Sequence, residues 1–355
     1  MRRVRLFLVL ARPAVVMLVA LFALVGLAQA GHANDPVAFA KVLAVVLATL
    51  VFAVAVNDLA DERIDRVNLP ADTARPLVAG TGTRREMIGV AAVSAFVALA
   101  ASLLLQRPAI FVVGGGLLFT AAYSLRPVRI AERGVLAPML LPAGYVAVPY
   151  LLGVMAVRAA VTGTDLLLLA GLYAGFVGRI LLKDFRDVRG DTLFGKRTFL
   201  VRHGRRPTCA LSAVFLIAGM FALAFVRDVS PALVASYVVY LALTLVLLRT
   251  LARSASARRD EATIAAIAIL GRGMLVTLYG HFAMSAAHWS IAAQSATVAV
   301  LTFVVVQTAR DMAGTGPITR LFVPFGSLDA PAAAAPAALA AGDPAGKVDS
   351  SAVPG

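Results

Sequence analysis

Long uninterrupted apolar runs dominate this sequence and decide its fold class. Of the 355 residues, 60% are hydrophobic and only 15% are charged, whereas soluble domains carry about 25% charged residues. Several of the runs reach the ~20 apolar residues that an α-helix needs to cross the hydrocarbon core of a bilayer. We therefore predict an all-α integral membrane protein, a bundle of transmembrane helices in contact with the lipid bilayer.

The apolar runs predict nine or ten membrane-spanning helices, since the last two ranges can merge. The predicted spans are 12–31, 38–57, 86–106, 108–123, 134–156, 165–183, 208–226, 230–250, 262–284 and 289–308. Residues 1–310 thus form one transmembrane domain. Residues 311–355 are predicted to be a cytoplasmic C-terminal segment, and from about residue 328 the composition of Ala, Pro, Gly and Ser predicts disorder.

Basic residues are concentrated in alternate loops, which predicts the orientation of the chain. Lys and Arg number 33 against 19 Asp and Glu, for a net charge of +14. Most of them lie in 58–85, 124–133, the loop after 183 and 249–259. The positive-inside rule places these loops, the N-terminus and both acidic clusters described below on the cytoplasmic side of the cell (inner or plasma) membrane. Orientation thus explains the basic charge without a nucleic-acid partner.

Two acidic clusters end two of the apolar runs, where acidic residues are costly. The clusters consist of Asn57, Asp58, Asp61 and Asp65, and of Asp184, Asp187 and Asp191. In both, the Asp residues are spaced 0, +3 and +7, which puts them on one face of a helix. Like charges this close stay ionised together only beside a cation, and Mg²⁺ is a hard cation that prefers oxygen ligands. We predict all seven residues as metal ligands and the six Asp as catalytic. The single cysteine, Cys209, excludes a disulfide scaffold and a cysteine metal site.

Basic and polar side chains accompany both clusters. Lys and Arg bind phosphate oxygens directly, and carboxylates combined with cations are what a diphosphate–Mg²⁺ complex requires, because carboxylates alone would repel the diphosphate. The predicted substrate-binding residues are Asn57, Arg75, Tyr123, Arg126, Arg129, Arg179, Lys183, Lys196 and Arg197.

Each of these features also has a simpler interpretation. An acidic cluster at a membrane edge can cap a helix and pair with nearby Arg, although the recurrence of the pattern argues against this. Tyr123 can be an interface anchor instead of a residue at a cavity mouth. Arg179 can contact phosphate, an acidic acceptor or an Asp. We interpret Gly114-Gly115-Gly116 as a site of close helix packing, not as a phosphate-binding loop.

Both clusters resemble the signatures of the UbiA-type intramembrane prenyltransferases. Asn57-Asp58-x-x-Asp61-x-x-x-Asp65 resembles the first signature, and Asp187-x-x-x-Asp191, preceded by Asp184, resembles the second. The pairs Tyr123-Ser124 and Arg75-Pro76 also fall where this family has similar residues. The resemblance covers the membrane domain and implies a nine-helix bundle around a central cavity, so a tenth span would depart from it.

The resemblance implies Mg²⁺-dependent transfer of an isoprenyl group from a prenyl diphosphate to an acceptor within the membrane. An apolar chamber would shelter the positive charge that develops on the allylic carbon, and the candidates for diphosphate contacts are Lys183, Arg129, Lys196 and Arg197. We favour an aromatic acceptor that leads to a quinone or a specialised metabolite. The alternative is a glycerol-phosphate-type lipid acceptor, because the second cluster resembles that of family members acting on glycerol lipids as much as that of members acting on an aromatic acceptor.

Two other classes of function are compatible with the composition. Acidic and basic residues inside a membrane can mark the ion pathway of a secondary transporter. Here the acidic residues stand at the ends of spans, whereas transporter sites lie near the midplane. A non-catalytic membrane scaffold would show no dependence on metal.

Overall fold

Every regular element of the computed structural model is helical in the part of the chain that it describes, which is residues 9–10, 12–68, 75–193, 198–226, 229–254 and 256–315. The helices are α1 (Pro13–Gln29), α2 (Pro36–Asn68), α3 (Arg84–Ser102), α4 (Ala109–Ser124), α5 (Leu136–Leu140), α6 (Val148–Val154), α7 (Gly163–Ile180), α8 (Asp184–Leu193), α9 (Phe199–His203), α10 (Arg205–Ala224), α11 (Pro231–Arg253), α12 (Ala257–Ala286) and α13 (Ile291–Thr315). A π-helical stretch, Ala143–Ala147, helps join α5 and α6 into one span, Leu136–Val154.

The described helices confirm the predicted membrane bundle. Eight spans among them are long and apolar enough to cross a membrane, and α1 and α4 are shorter apolar helices of 17 and 16 residues. These ten elements coincide with the ten predicted ranges, while the number that cross the membrane stays a prediction. The last helix ends at Thr315, and the C-terminal segment predicted beyond it lies outside the described residues.

Helix α2 differs most from its predicted range. The sequence predicts a span that ends at residue 57, but the helix continues to Asn68. Its 33 residues are roughly 50 Å long at 1.5 Å per residue, well above the ~30 Å of a hydrocarbon core. The first acidic cluster therefore lies on a continuous helix that projects beyond the apolar layer.

Helices α1 and α6 stand between two groups of helices, because both contribute to two separate apolar cores. The first core joins them to α2, α3 and α4 through residues such as Val46, Met87 and Val113. The second joins them to α7, α10, α11 and α12 through residues such as Leu172 and Leu270. Each group of helices contributes one of the two acidic clusters, the first from α2 and the second from the segment after α7.

Two glycines allow α1 and α6 to cross in backbone contact. A Cβ atom on Gly26 would overlap the carbonyl oxygen of Tyr150, and one on Gly153 would overlap the carbonyl oxygen of Ala23. Backbone atoms cannot move aside as the end of a side chain can, so only glycine fits at these positions.

The three consecutive glycines of α4 do not behave alike. A Cβ on Gly116 would lie 3.0 Å from Cγ2 of Val148, whereas Gly114 and Gly115 have nothing within 4 Å. Close packing is confirmed for Gly116 and wrong for the other two. Successive helical residues point about 100° apart, so only Gly116 faces α6.

Candidate active site

Asn57 and Asp61 form one edge of the first acidic cluster. The Nδ2 atom of Asn57 donates to Oδ2 of Asp61 at 2.9 Å, and Arg129 donates to Oδ1 at 2.9 Å. Arg129 also pairs with Glu132 at 2.9 Å. The segment that follows α4 is thereby tied to α2, and Asp61 is held with both carboxylate oxygens in hydrogen bonds.

A polar cavity, which we call the vestibule, brings the two acidic clusters together. It contains about 540 Å³ of empty space, part of it open to solvent. Asp61 of the first cluster and Asp184 of the second both line this cavity. Its other polar lining residues are Asn57, Tyr123, Lys183 and Thr198. The fold thus brings one carboxylate from each cluster to the same cavity.

An apolar cavity, which we call the first chamber, continues from the vestibule. It contains about 840 Å³ of empty space, part of it open to solvent. Asn57, Tyr123, Leu141 and Lys183 line both cavities. The deeper walls are apolar or aromatic and include Val46, Leu50, Phe119 and Tyr145. The two cavities together fit an amphiphile with a polar head in the vestibule and an apolar chain in the first chamber.

Asp58 and Asp65 form the other edge of the first cluster and face arginines. Asp58, only 2% exposed, pairs with Arg12 at 2.6 Å and with Arg75 at 3.2 Å. Arg75 also pairs with Asp65. At about 100° per residue, the four polar residues of the cluster cover a stripe roughly 100° wide. Asn57 and Asp61 lie toward one side of it and Asp65 and Asp58 toward the other, so one predicted face meets two different environments.

We expect Asp58→Ala to destabilise the folded protein by about 3 kcal/mol, because it leaves Arg12 without a buried partner and weakens the hold on Arg75. Glu62→Ala is the matched control on the same helix. Glu62 pairs with Arg66 and Arg84, whose side chains are 54% and 60% exposed, and such pairs contribute about 0–1 kcal/mol. Denaturant unfolding in detergent measures both variants. Equal unfolding midpoints would show that the Arg12–Asp58 pair carries no special weight.

The remaining predicted residues fall into three groups. Lys183 and Tyr123 line the vestibule, and Arg129 reaches it through Asp61. Arg126 is exposed and lines neither the vestibule nor the first chamber, and Arg75 contacts the Asp58 side of the first cluster. The side chains of Asp187 and Asp191, together with Lys196 and Arg197, lie outside the described residues. The roles of all these residues stay predictions.

Arg179 lines a further apolar cavity, the second chamber, which contains about 710 Å³ of empty space among α1, α7, α10, α11 and α12.

Three residues that contact the site are not predicted by any sequence motif. Arg12 is the first residue of a predicted span, and Glu132 is one of several charged residues in a loop. Thr198 follows a basic segment and belongs to no motif.

The oxygen atoms of the vestibule fit a hard cation such as Mg²⁺. Asp61 and Asp184 supply carboxylates, and Asn57 retains its Oδ1 atom because it uses Nδ2 on Asp61. Mg²⁺ commonly takes one or two carboxylates and completes its shell with phosphate and water. Among the residues that the structure describes, no three carboxylate, His or Cys side chains form a ready-made metal site. The described ligands thus fit Mg²⁺ that binds together with a phosphate group.

Comparison with known proteins connects this site to one family. The model of the UbiA prenyltransferase family matches residues 16–270. The chain is 32% identical over 150 residues to the bacteriochlorophyll synthase 34 kDa chain of Chloroflexus aurantiacus, which covers 42% of this chain and 47% of that one. It is 28% identical over 163 residues to the 33 kDa chain of Cereibacter sphaeroides, covering 46% and 53%. The chain thus spans about half the length of the curated relatives it matches.

Solved structures share the fold at low sequence identity. A structure from a study of digeranylgeranylglyceryl phosphate synthase in membranes matches with a TM-score of 0.61 at 17% identity, and the match covers 79% of this chain and 98% of that one. A UbiA homologue from Aeropyrum pernix gives 0.59 at 19% identity, covering 76% and 97%. A UbiA homologue from Archaeoglobus fulgidus, bound to DMAPP and Mg²⁺, gives 0.54 at 15% identity, covering 87% and 99%. At these identities the likeness concerns the fold.

Proposed function

Since this chain belongs to the UbiA prenyltransferase family, we propose that it transfers an isoprenyl group from a prenyl diphosphate to an acceptor within the membrane, with Mg²⁺ as its cofactor. The family resemblance drawn from the two acidic motifs is confirmed by the match over residues 16–270. Membership of this family supports a transferase over the transporter and the scaffold.

One observation carries the proposal: a vestibule lined by carboxylates and Lys183 opens into an apolar chamber at Asn57, Tyr123 and Lys183. A prenyl diphosphate has the same division, with a charged head on an apolar chain. A diphosphate head in the vestibule would put the chain into the first chamber. The homologue that binds DMAPP together with Mg²⁺ supports the same donor class.

The residues of the site have separate tasks in this reaction. Lys183 would bind a phosphate oxygen, and Asn57, Asp61 and Asp184 would hold Mg²⁺, which neutralises charge on the leaving diphosphate. Phe119, Tyr123 and Tyr145 line the first chamber. Their ring faces attract a positive charge and therefore favour the allylic carbon as it becomes cationic. The apolar walls keep water, a competing nucleophile, away from that carbon.

For the acceptor we favour a molecule with an aromatic ring system. The matched sequence relatives are named for bacteriochlorophyll or chlorophyll synthesis, which supports a ring-containing acceptor. A quinone precursor is one member of this class. A glycerol-phosphate-type lipid is the second candidate, and the likeness to the digeranylgeranylglyceryl phosphate synthase study supports only the fold.

The test is transfer by the purified protein in detergent or in proteoliposomes. Labelled prenyl diphosphates of ten to about fifty carbons would be supplied with aromatic acids or with glycerol phosphates, in Mg²⁺ or in EDTA. We expect a prenylated product in Mg²⁺ and none in EDTA, and mass spectrometry of that product identifies the acceptor. Failure of every prenyl diphosphate to bind in the presence of Mg²⁺ would contradict the proposed function.

A further inference from the structure

The second chamber is an apolar cavity distinct from the one that continues from the vestibule. Its walls come from α1, α7, α10, α11 and α12. The first chamber lies against α2, α4 and the Leu136–Val154 span, and shares only α1 with the second, through Val19. Its empty space, about 710 Å³, is close to the 840 Å³ of the first chamber. Arg179 is the charged residue in a lining that is otherwise mostly aliphatic, with Leu172, Leu223 and Leu275 among its members.

A stacked pair of aromatic rings stands between the two chambers. Tyr145 lines the first chamber and Phe176 lines the second. Their rings are nearly parallel, at an interplanar angle of 18°, with centroids 5.8 Å apart. The ring of Phe22 packs on Phe176 edge-on, with centroids 5.9 Å apart. A rotation of the Phe176 side chain out of this stack would open one chamber to the other.

The two chambers approach each other beside the vestibule. Arg179 lines the second chamber, and Lys183, which lines both the vestibule and the first chamber, follows it by four residues. Helix α7 ends at Ile180, so Arg179 lies in its last turn and Lys183 in the turn that follows the helix. The end of α7 thus connects the proposed diphosphate position at Lys183 with the part of the second chamber that Arg179 lines.

Arg179 is packed into a defined position within a membrane-spanning helix. Its guanidinium carbon lies 5.8 Å from the centroid of the Phe176 ring, and a Cβ on Gly271 would be 3.7 Å from its Cδ. A charged side chain in a span is costly, and such residues mark binding sites or pathways. Guanidinium groups bind carboxylate and phosphate through paired hydrogen bonds.

We propose that the second chamber is the binding site of the acceptor, and that the acceptor has an apolar body and one anionic group, a carboxylate or a phosphate, which binds Arg179. This inference rests on the proposed function and specifies its second substrate. Donor and acceptor enter separate chambers and meet where the Tyr145–Phe176 stack opens. The nucleophilic atom of the acceptor forms a bond to C1 of the isoprenyl group while the C1–O bond breaks. The diphosphate leaves with the bonding electrons and takes up the proton that the acceptor loses.

Three variants of the full-length protein test the site. Gly175→Leu fills the second chamber, since Gly175 lines it and a Cβ there meets nothing within 4 Å. Arg179→Leu removes the cation, and Arg179→Lys restores the charge without the paired geometry. The matched control is Gly115→Leu on α4, where a Cβ also meets nothing within 4 Å and the residue is exposed and lines neither chamber.

Each protein would be measured in two ways. Direct Mg²⁺-dependent binding of unreactive S-thiolodiphosphate analogues of the same series of prenyl diphosphates reports on the donor site. Transfer kinetics with aromatic carboxylic acids, glycerol phosphates and their neutral methyl esters report on the acceptor. We expect Arg179→Leu to raise the KM of the anionic acceptor about tenfold or more, because one charge-assisted hydrogen bond is lost. Gly175→Leu should raise that KM to a similar extent, because its side chain occupies the space of the acceptor. In both variants the donor Kd should stay within twofold of the wild type. Arg179→Lys should recover part of the loss, and Gly115→Leu should match the wild type.

Several results would overturn the inference. One is a Gly175→Leu protein in which the donor Kd rises while the acceptor KM is unchanged, which would assign the second chamber to the isoprenoid chain. Another is a neutral ester that is prenylated as well as its acid by the wild type. A third is a panel in which no anionic compound is prenylated or stabilises the protein against heat. Failure of the wild type to bind any analogue of the series in Mg²⁺ would instead refute the proposed function itself.

Discussion

Asp61→Ala reduces kcat/KM for prenyl transfer by at least about 10³-fold. Asp61 is the carboxylate of the first cluster that lines the vestibule, opposite Asp184 of the second. Its removal takes away one ligand for Mg²⁺ and also releases Arg129, which donates to Asp61 at 2.9 Å. Loss of a single preorganised electrostatic contact costs about 10²–10³ in rate, and disturbing the orientation of neighbouring groups adds about 10–100. Initial rates over a Mg²⁺ titration measure the loss and any weakening of the metal requirement.

Glu62→Gln is the control for this variant. Glu62 is the next residue of α2, and it pairs with the exposed Arg66 and Arg84 outside the vestibule. We expect its rate to stay within about twofold of the wild type, since exposed pairs contribute little. An Asp61→Ala protein that transfers at the wild-type rate would remove Asp61 from the site and contradict the assignment of the vestibule to the diphosphate.

Gly153→Val prevents α1 and α6 from crossing and destabilises the protein by about 3 kcal/mol or more. The new side chain would overlap the carbonyl oxygen of Ala23, so relief requires α1 to move away from α6. Both apolar cores include these helices, and the displacement therefore affects the walls of both chambers. The measurement is the yield of monodisperse protein in detergent together with the midpoint of thermal unfolding. Gly26→Val should behave in the same way, because it meets the Tyr150 carbonyl oxygen.

Gly114→Ala is the matched control for the crossing. It adds a methyl group to a helical glycine with nothing within 4 Å, and replacing glycine by alanine in a helix interior contributes about 0.5–1 kcal/mol of stability. We expect an unchanged or slightly raised unfolding midpoint. If Gly153→Val and Gly114→Ala unfold at the same temperature, the α1–α6 contact is not required for the fold.

Hydropathy predicted where the helices lie but not where they end. The predicted second span stops at residue 57, where apolar residues give way to polar ones, yet α2 continues to Asn68. Beyond residue 57 the helix carries side-chain pairs one turn apart, Asn57 with Asp61 and Glu62 with Arg66. Such pairs stabilise a helix in water. Hydropathy reports the edge of the apolar layer, and a helix can pass beyond that edge.

The sequence also predicted that the Asp residues of the first acidic cluster share one face of a helix, but not that this cluster is divided between two environments. Spacing along a helix gives the direction of each side chain, and this was sufficient to place Asp58, Asp61 and Asp65 on one stripe. The partner that each residue meets depends on distant parts of the chain. Arg12 is 46 residues before Asp58, and Arg129 is 68 residues after Asp61. Contacts between such distant residues follow from helix packing, which local patterns do not encode.

The glycine crossing has a consequence for how the protein is made. Gly153 is synthesised more than one hundred residues after Gly26, so a nascent chain that has inserted α1 to α4 still exposes the Gly26 surface of α1 to lipid. The first chamber lacks Val148 and Pro149 until α6 reaches the bilayer, and the second lacks most of its walls until α7, α10, α11 and α12 have been made. Although each group of helices contributes one acidic cluster, a fragment that contains only one group has no finished chamber. Assembly of the site therefore proceeds in two stages: the first chamber has all its lining residues once Lys183 has been made, and the second only after α12 has followed.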